Sequence, residues 1–238
     1  MKQLEYRPLY TPIASYLGLS GLGFGAYFIT TGTPATWLTA SLIGIFLIQM
    51  SVTVGFHRLF CHQAFKTSQA WETLLAVLAT LTFYGSTIQW SGLHAAHHKY
   101  SDTQRDPHFT GWSYLVWKRN ANDNVELRVI SRISKSKLHS FLHRNYLLPF
   151  LLLLIVGVFN PTFFIFGYLI PLGWLHLVNG LHQVLAHNKQ GPRDLGLLEL
   201  PLFTGGEWYH AYHHKHPRAS RFGTLDLGYL FIRLIRKE

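Results

Sequence analysis

Two stretches of the chain, HAAHH at His94 to His98 and HAYHH at His210 to His214, carry histidine at the same spacing, H-x-x-H-H. On an α-helix, residues at i, i+3 and i+4 share a face, so each stretch presents three imidazoles in one direction. A third pair, His57 and His62 in HRLFCH, is five residues apart. That is about 140° around an α-helix, which suits two different metals or the end of a helix better than one shared ion. Eight imidazoles are too many for one zinc, which takes four ligands, so the count implies two metals. Imidazole suits zinc, copper, iron and nickel alike and leaves the metal open. The soluble di-iron pattern of Glu plus Glu-x-x-His is absent. Glu207 is the one acidic residue within three positions of a clustered histidine.

The elements that must position these rings are apolar. Hydrophobic residues make up 48% of the 238 residues and charged residues 13%, about half the usual charged share, as expected of a membrane protein. Pro12 to Thr31 and Ala35 to Phe56 are uncharged and are joined by the turn TGTP; Tyr146 to Leu181 is a further uncharged run of 36 residues, broken at Asn160-Pro161. Each helix of about 20 residues can cross a hydrocarbon layer of about 30 Å. The reading is therefore an all-α integral membrane protein with four transmembrane helices in two hairpins, about 12–31, 35–56, 144–159 and 161–181. A helical cap, 57–143 and 182–238, holds the histidine-rich di-metal site, all within one domain, 1–238. With four spans, all 21 Lys and Arg and all 11 Asp and Glu fall on one side. By the positive-inside rule that side, with both termini and the metal site, is cytoplasmic. A fifth span at the apolar stretch 73–88 would scatter those charges and separate HRLFCH from HAAHH, so 73–88 is expected to be a buried or half-inserted helix. The net charge of +10 then marks a cap beside anionic lipid headgroups and not a nucleic-acid surface. The N-terminal MKQLEYRPLY is too polar at Glu5 and Arg7 for a signal peptide, so the run behind it reads as a retained anchor. The lone Cys61 excludes an internal disulfide.

These boxes on a four-span protein resemble those of the membrane-bound fatty-acid desaturases of the acyl-CoA Δ9, stearoyl-CoA desaturase-like type. GFHRLFCHQAF resembles the family's G-x-H-R-x-x-x-H stretch, and HHKYSDTQRDPH (His97 to His108) its H-H-K-x-S-D-T-x-x-D-P-H motif. LHRNYLLPF resembles the segment before the third span, and GGEWYHAYHHKHP the G-E-x-x-H-x-x-H-H-x-x-P box. The likeness covers roughly residues 35 to 225. It implies a centre of two iron ions that takes O2 and two electrons and removes two hydrogens from a long-chain fatty acyl substrate. The product expected is a cis double bond, Δ9. Electrons are expected from a separate donor of ferredoxin or cytochrome type, with membrane lipid as surroundings and no nucleic-acid partner.

The implied metal ligands are His57, His62, His94, His97, His98, His210, His213 and His214. Asp106 and His108 are placed behind them as hydrogen-bonding neighbours. The family also leads one to expect Asn-x-x-x-His near the end of the fourth span, whereas this chain reads VNGLHQVLAH. His182 is three residues from Asn179, about 60° to one side on a helix; His187 is eight away, about 80° around and about 12 Å along. His182 is therefore expected as the ninth ligand, with Asn179 a polar neighbour. Trp71, Phe83, Tyr84 and Trp90 could line an acyl tunnel or serve as ordinary core. Arg58, Lys99 and Arg105 could meet a phosphate-bearing headgroup or be surface charge. Two rival readings are a related membrane hydroxylase or ketolase, and a metal-binding or transport protein. The latter would place its ligands at mid-membrane.

Overall fold

A computed structural model describes residues 16, 19–23, 25–26, 30, 32, 34–107, 130–188, 190–196 and 204–237. The longest helix, α1 (Ala35–Cys61), is α-helical to Met50 and π-helical from Ser51 to Cys61. Its first half turns Leu42, Ile43 and Phe46 outward, and its second half is wholly buried. An apolar surface that gives way to a buried one fits a helix that leaves lipid and enters protein. After Ser68, whose hydroxyl accepts from Trp71 N, comes α2 (Gln69–Thr80). A tight turn follows, with Phe83 and Gly85 at positive φ, and leads into α3 (Thr87–Tyr100), capped by Ser86. Then come α4 (Ser131–Ser134), α5 (Lys137–Arg144), α6 (Leu148–Phe159) and α7 (Pro161–Ala186), with a π-helical stretch at Ile165–Leu169. A two-stranded hairpin, β1 (His187–Asn188) and β2 (Gly191–Pro192), closes α7. The last two helices are α8 (His210–Lys215) and α9 (Leu227–Ile235).

Two of these helices, α1 and α7, are long and apolar enough to cross a membrane. A third qualifies only if α5 and α6, bent by 65° at their junction, count as one span. The expected second span thus runs on from Phe56 to Cys61, and the fourth from Leu181 to Ala186. The expected third span has the upstream extension that its short apolar run requires, but at an angle. Asn160 and Pro161 make the expected break, the Asn160 side chain accepting from Phe163 N and Pro161 opening α7 where no N–H is needed. Most of the expected first span, 12–31, lies outside the described residues, and the described ones from 16 to 26 and at 30 are helical. The apolar stretch 73–88 is divided between α2, a turn and the start of α3. With 12 residues, α2 is about 18 Å long and too short to span.

Close contact between helices rests on missing side chains, as is common within membranes. A Cβ on Gly44 of α1 would come 2.6 Å from the Gly167 carbonyl oxygen of α7, and one on Gly21 would meet Leu169 equally closely. Ser41 Oγ donates to Phe166 O at 2.9 Å across the same seam. Two histidines of α5 hold the start of α3: His143 Nδ1 is 2.7 Å from Ser86 Oγ, and His139 Nδ1 is 2.8 Å from Thr87 Oγ1. The helix that carries HAAHH is therefore fixed at its N-terminal end.

Candidate metal centre

Three helix ends meet where α1, α3 and α8 converge, and each brings a histidine box. In the π-helical part of α1 the turn closes on i+5, so residues five apart stand one above the other. His62 N donates to His57 O at 3.0 Å, and the two rings meet edge-on with centroids 4.8 Å apart. The spacing that would split this pair on an α-helix unites it here. Arg58, between them, is completely buried. It donates to Asp226 Oδ1 at 2.8 Å, to Ser220 O at 3.2 Å and to Gly205 O at 3.3 Å, with its guanidinium 3.9 Å over the Phe222 ring. Neither the headgroup role nor the surface role is therefore open to Arg58. It fastens the first box to the segments on either side of the third. Lys99 and Arg105 are exposed.

The imidazoles form two adjacent groups that could each hold a metal ion: His57, His62, His94, His98 and His213, and then His97, His187, His210 and His214, with the candidate donor atoms of each within 4.8 Å of one another. In the first group, Nε2 atoms follow one another at 2.9 Å (His57 to His213), 2.9 Å (His213 to His98), 3.1 Å (His98 to His94) and 3.2 Å (His94 to His62). In the second, His210 Nε2 is 2.7 Å from His187 Nε2 and 3.0 Å from His214 Nε2. Ligand nitrogens about 2.1 Å from one ion would be separated by about these distances. The donor set therefore fits a metal.

Proton placement points the same way. His57 Nδ1 is 2.8 Å from Glu207 Oε2, His97 Nδ1 is 2.9 Å from both oxygens of Asp106, and His187 Nδ1 is 3.0 Å from Asp102 Oδ1. An ionised carboxylate only accepts, so each Nδ1 carries the proton and each Nε2 keeps its lone pair for the centre. Burial first, and then the neighbouring imidazoles, hold His62, His94, His98, His210 and His213 far below the usual histidine range. The same causes bring His214 down to about 3. Neutral imidazole is the form that binds metal. Burial alone would raise Glu207, but His57, Arg58 and the Thr53 hydroxyl that donates to it outweigh burial and bring it down to about 2.

Eight of the nine histidines expected as ligands lie in the two groups, and His182 does not. Its Nε2 is 3.3 Å from Nδ1 of His210, behind that ring, and the second group contains His187. The helical arithmetic that puts His187 too far away fails because α7 ends at Ala186. His187 is extended (φ −119, ψ 137) and opens the hairpin that folds back toward α8. Asp102 also escapes a reading of the sequence; it sits in the same DTQRD stretch as Asp106 at φ 62, a turn conformation with no periodic signature. Asp106 stands against His97, and His108 lies outside the described residues.

A cavity of about 640 Å³, counted to its open mouth, lies between the spans and the histidines, walled by Val52, Thr53, Tyr84, Trp90, Asn179 and Gln183, with His57, His94 and His210 facing it. Of the four aromatics that could line a tunnel, Tyr84 and Trp90 line this cavity. Trp71 instead packs edge-on against Phe231, and Phe83 against Phe150. Asn179 Oδ1 accepts from Gln49 Nε2 at 3.3 Å.

No family model matches the chain. Among curated proteins it is similar to the sn-1 stearoyl-lipid 9-desaturase of Anabaena variabilis, 26% identical over 242 residues that cover 91% of this chain and 87% of that one. It is 28% identical to the acyl-CoA Delta(11) desaturase of Trichoplusia ni over 97% of this chain and 72% of the other. It is 27% identical to stearoyl-CoA desaturase 4 of Mus musculus over 82% and 64% respectively. The likeness to each extends far beyond the histidine boxes. With those boxes gathered at the ends of apolar helices, the chain is similar over most of its length to fatty-acid desaturases, which are oxidoreductases.

Proposed function

We propose that this chain introduces a cis double bond, at Δ9, into a long-chain fatty acyl group in an O2-dependent reaction at two iron ions. The observation that carries this reading is the convergence of nine buried or half-buried imidazoles into two adjacent groups beside one cavity. His57, His62, His94, His98 and His213 hold one ion, and His97, His187, His210 and His214 the other. Iron supplies an oxidant for an unactivated methylene C–H bond that no side-chain acid or base can break. Glu207, Asp106 and Asp102 keep the Nδ1 protons in place, so that Nε2 of His57, His97 and His187 stays turned inward. Val52, Tyr84 and Trp90 hold the acyl tail against the histidines and keep bulk water away from it. The stearoyl groups in the names of two relatives support a long saturated substrate. The charge asymmetry and the apolar helices support four spans, with both termini and the metal centre on the cytoplasmic side.

Expression in a host that lacks unsaturated fatty acids tests the reaction. Gas chromatography with mass spectrometry of the host lipids should find monounsaturated products with the double bond at C9. Hydroxylated or keto products without new double bonds would transfer the protein to the hydroxylase or ketolase class. Purified active protein should contain two irons per molecule, and a single metal in active protein would refute the two-ion centre. Zinc in recombinant material would not, since imidazole accepts zinc readily.

A further inference from the structure

The last helix, α9, carries apolar side chains on the side that the protein leaves uncovered. Gly228, Ile232 and Ile235 are buried, whereas Leu230 is 52% and Leu234 81% exposed. Four residues apart, these two leucines share one helical face, and the exposed Arg233 stands beside them. Three more exposed cations flank the helix: Arg236 and Lys237 at its end, and Arg221 with its guanidinium 5.6 Å from the centre of the Tyr229 ring. Across residues 221–237 the one carboxylate, Asp226, is turned inward to Arg58. Glu72, on neighbouring α2, is turned to His139 and Arg132. The uncovered face is therefore leucine among cations.

The contacts of α9 set its level. It packs on the π-helical end of α1, and Phe231 meets Phe46 of α1 edge-on at 5.8 Å and Trp71 of α2 at 5.7 Å. Phe46 belongs to the outward apolar row of α1, with Leu38, Leu42, Ile43 and Leu47, which ends where the helix becomes buried at Ile48. It stands about 16 Å along α1 from Ala35, within reach of a hydrocarbon layer of about 30 Å. Thr67 Oγ1 donates to Ile235 O at 2.6 Å and Lys237 N to Lys66 O at 2.8 Å, which ties the end of α9 to the segment leading into α2. The helix is thus held at the metal-side end of the outward apolar surface of α1.

We propose that α9 lies in the plane of the membrane on the metal side, with Leu230 and Leu234 in the acyl region and Arg221, Arg233, Arg236 and Lys237 on an anionic lipid surface. This rests on the reading of α1 as a membrane span. An in-plane helix buries an apolar face while its cations reach acidic headgroups. Two leucines are a small patch for a stable protein interface, which buries at least about 1,000 Å², whereas lipid accepts single side chains. The seat also bears on the centre. Asp226 caps α9 and holds Arg58, which lies between His57 and His62, so lipid beneath α9 sets the height of the first box above the bilayer.

The test places a cysteine in the full chain, Leu234→Cys or Leu42→Cys, labels it with the NBD fluorophore and reconstitutes the protein into nanodiscs. Cys61 is buried, and wild type treated in the same way supplies the background. Nitroxide lipids quench from within the bilayer and iodide from water. At Leu234, a nitroxide near the headgroup should quench more than one at the acyl terminus, and iodide quenching should fall at least about threefold below that of the free dye conjugate. Adding phosphatidylglycerol to phosphatidylcholine should strengthen the lipid quenching. Arg233→Glu with Arg236→Glu should remove that response, as should high salt. Full iodide quenching at Leu234 would put α9 in water. Protection from both quenchers would mean that a protein or a second copy covers it. Either result overturns the proposal, as does an anionic-lipid response that survives the charge reversals. Leu42, exposed on α1, separates the two readings: if it too escapes the nitroxide lipids, the span itself is refuted, and if it alone is quenched by them, only the placement of α9 fails.

Discussion

Around the second group the chemistry depends on which of two histidines faces inward. His187 has one nitrogen on Asp102 and the other 2.7 Å from His210 Nε2, while His182 Nε2 is 3.3 Å from Nδ1 of His210, on the far side of that ring. His187→Ala should therefore lose one of two metals together with activity. His182→Ala should keep both metals and lose activity only in part, as metal analysis beside product yield will tell; the opposite pattern would restore His182 as the ligand. Asp102→Asn should weaken metal binding by about 10–100-fold, the usual effect of removing such a partner. The two H-x-x-H-H boxes are legible in the sequence because their spacing is helical and both stand on helices. His187 and Asp102 are not. They meet across 85 residues, one past the end of a helix and the other in a turn, and no local period records that encounter.

At the scale of elements, the same contrast separates α1 from the rest. Its apolar run and length can be read from hydropathy. Its change to i→i+5 bonding cannot, because the ordinary 3.6-residue period is what a helical reading of His57 and His62 assumes. What secures this segment is the Arg58–Asp226 pair, in which Asp226 also caps α9 through Tyr229 N and accepts from Phe222 N. Asp226→Asn leaves the buried Arg58 charge with only the longer contact to Glu207, 3.5 Å away, and should cost at most about 3–5 kcal/mol, read by urea denaturation in detergent. Replacing both residues, Arg58→Met with Asp226→Leu, should recover only part of that loss, since Phe222 N, Tyr229 N and Gly205 O lose their side-chain partners. If the single variant proved as stable as wild type, Arg58 would not be the fastening between the first and third boxes.

For the whole molecule, the decisive quantity is the distribution of charge along the sequence. TGTP and Asn160-Pro161 are the two short uncharged turns between expected spans. A reporter fused after Glu238 should therefore be active only in its cytoplasmic form, and a cysteine placed at Gly32 should react with an impermeant thiol reagent only from the opposite side. Cys61 is buried and leaves the background clean. A reporter that worked on the far side would invert the topology. His98 of the first metal group stacks on His214 of the second, ring centroids 4.3 Å apart, and this bears on how the protein fills with metal. Each ring is held partly by a neighbour that belongs to the other ion's ligand set, so a half-filled protein lacks support for one face of its remaining site. Loading should then be concerted. In a chelator titration followed by native mass spectrometry, empty and doubly loaded molecules should dominate, and singly loaded ones should be scarcer than independent binding statistics allow.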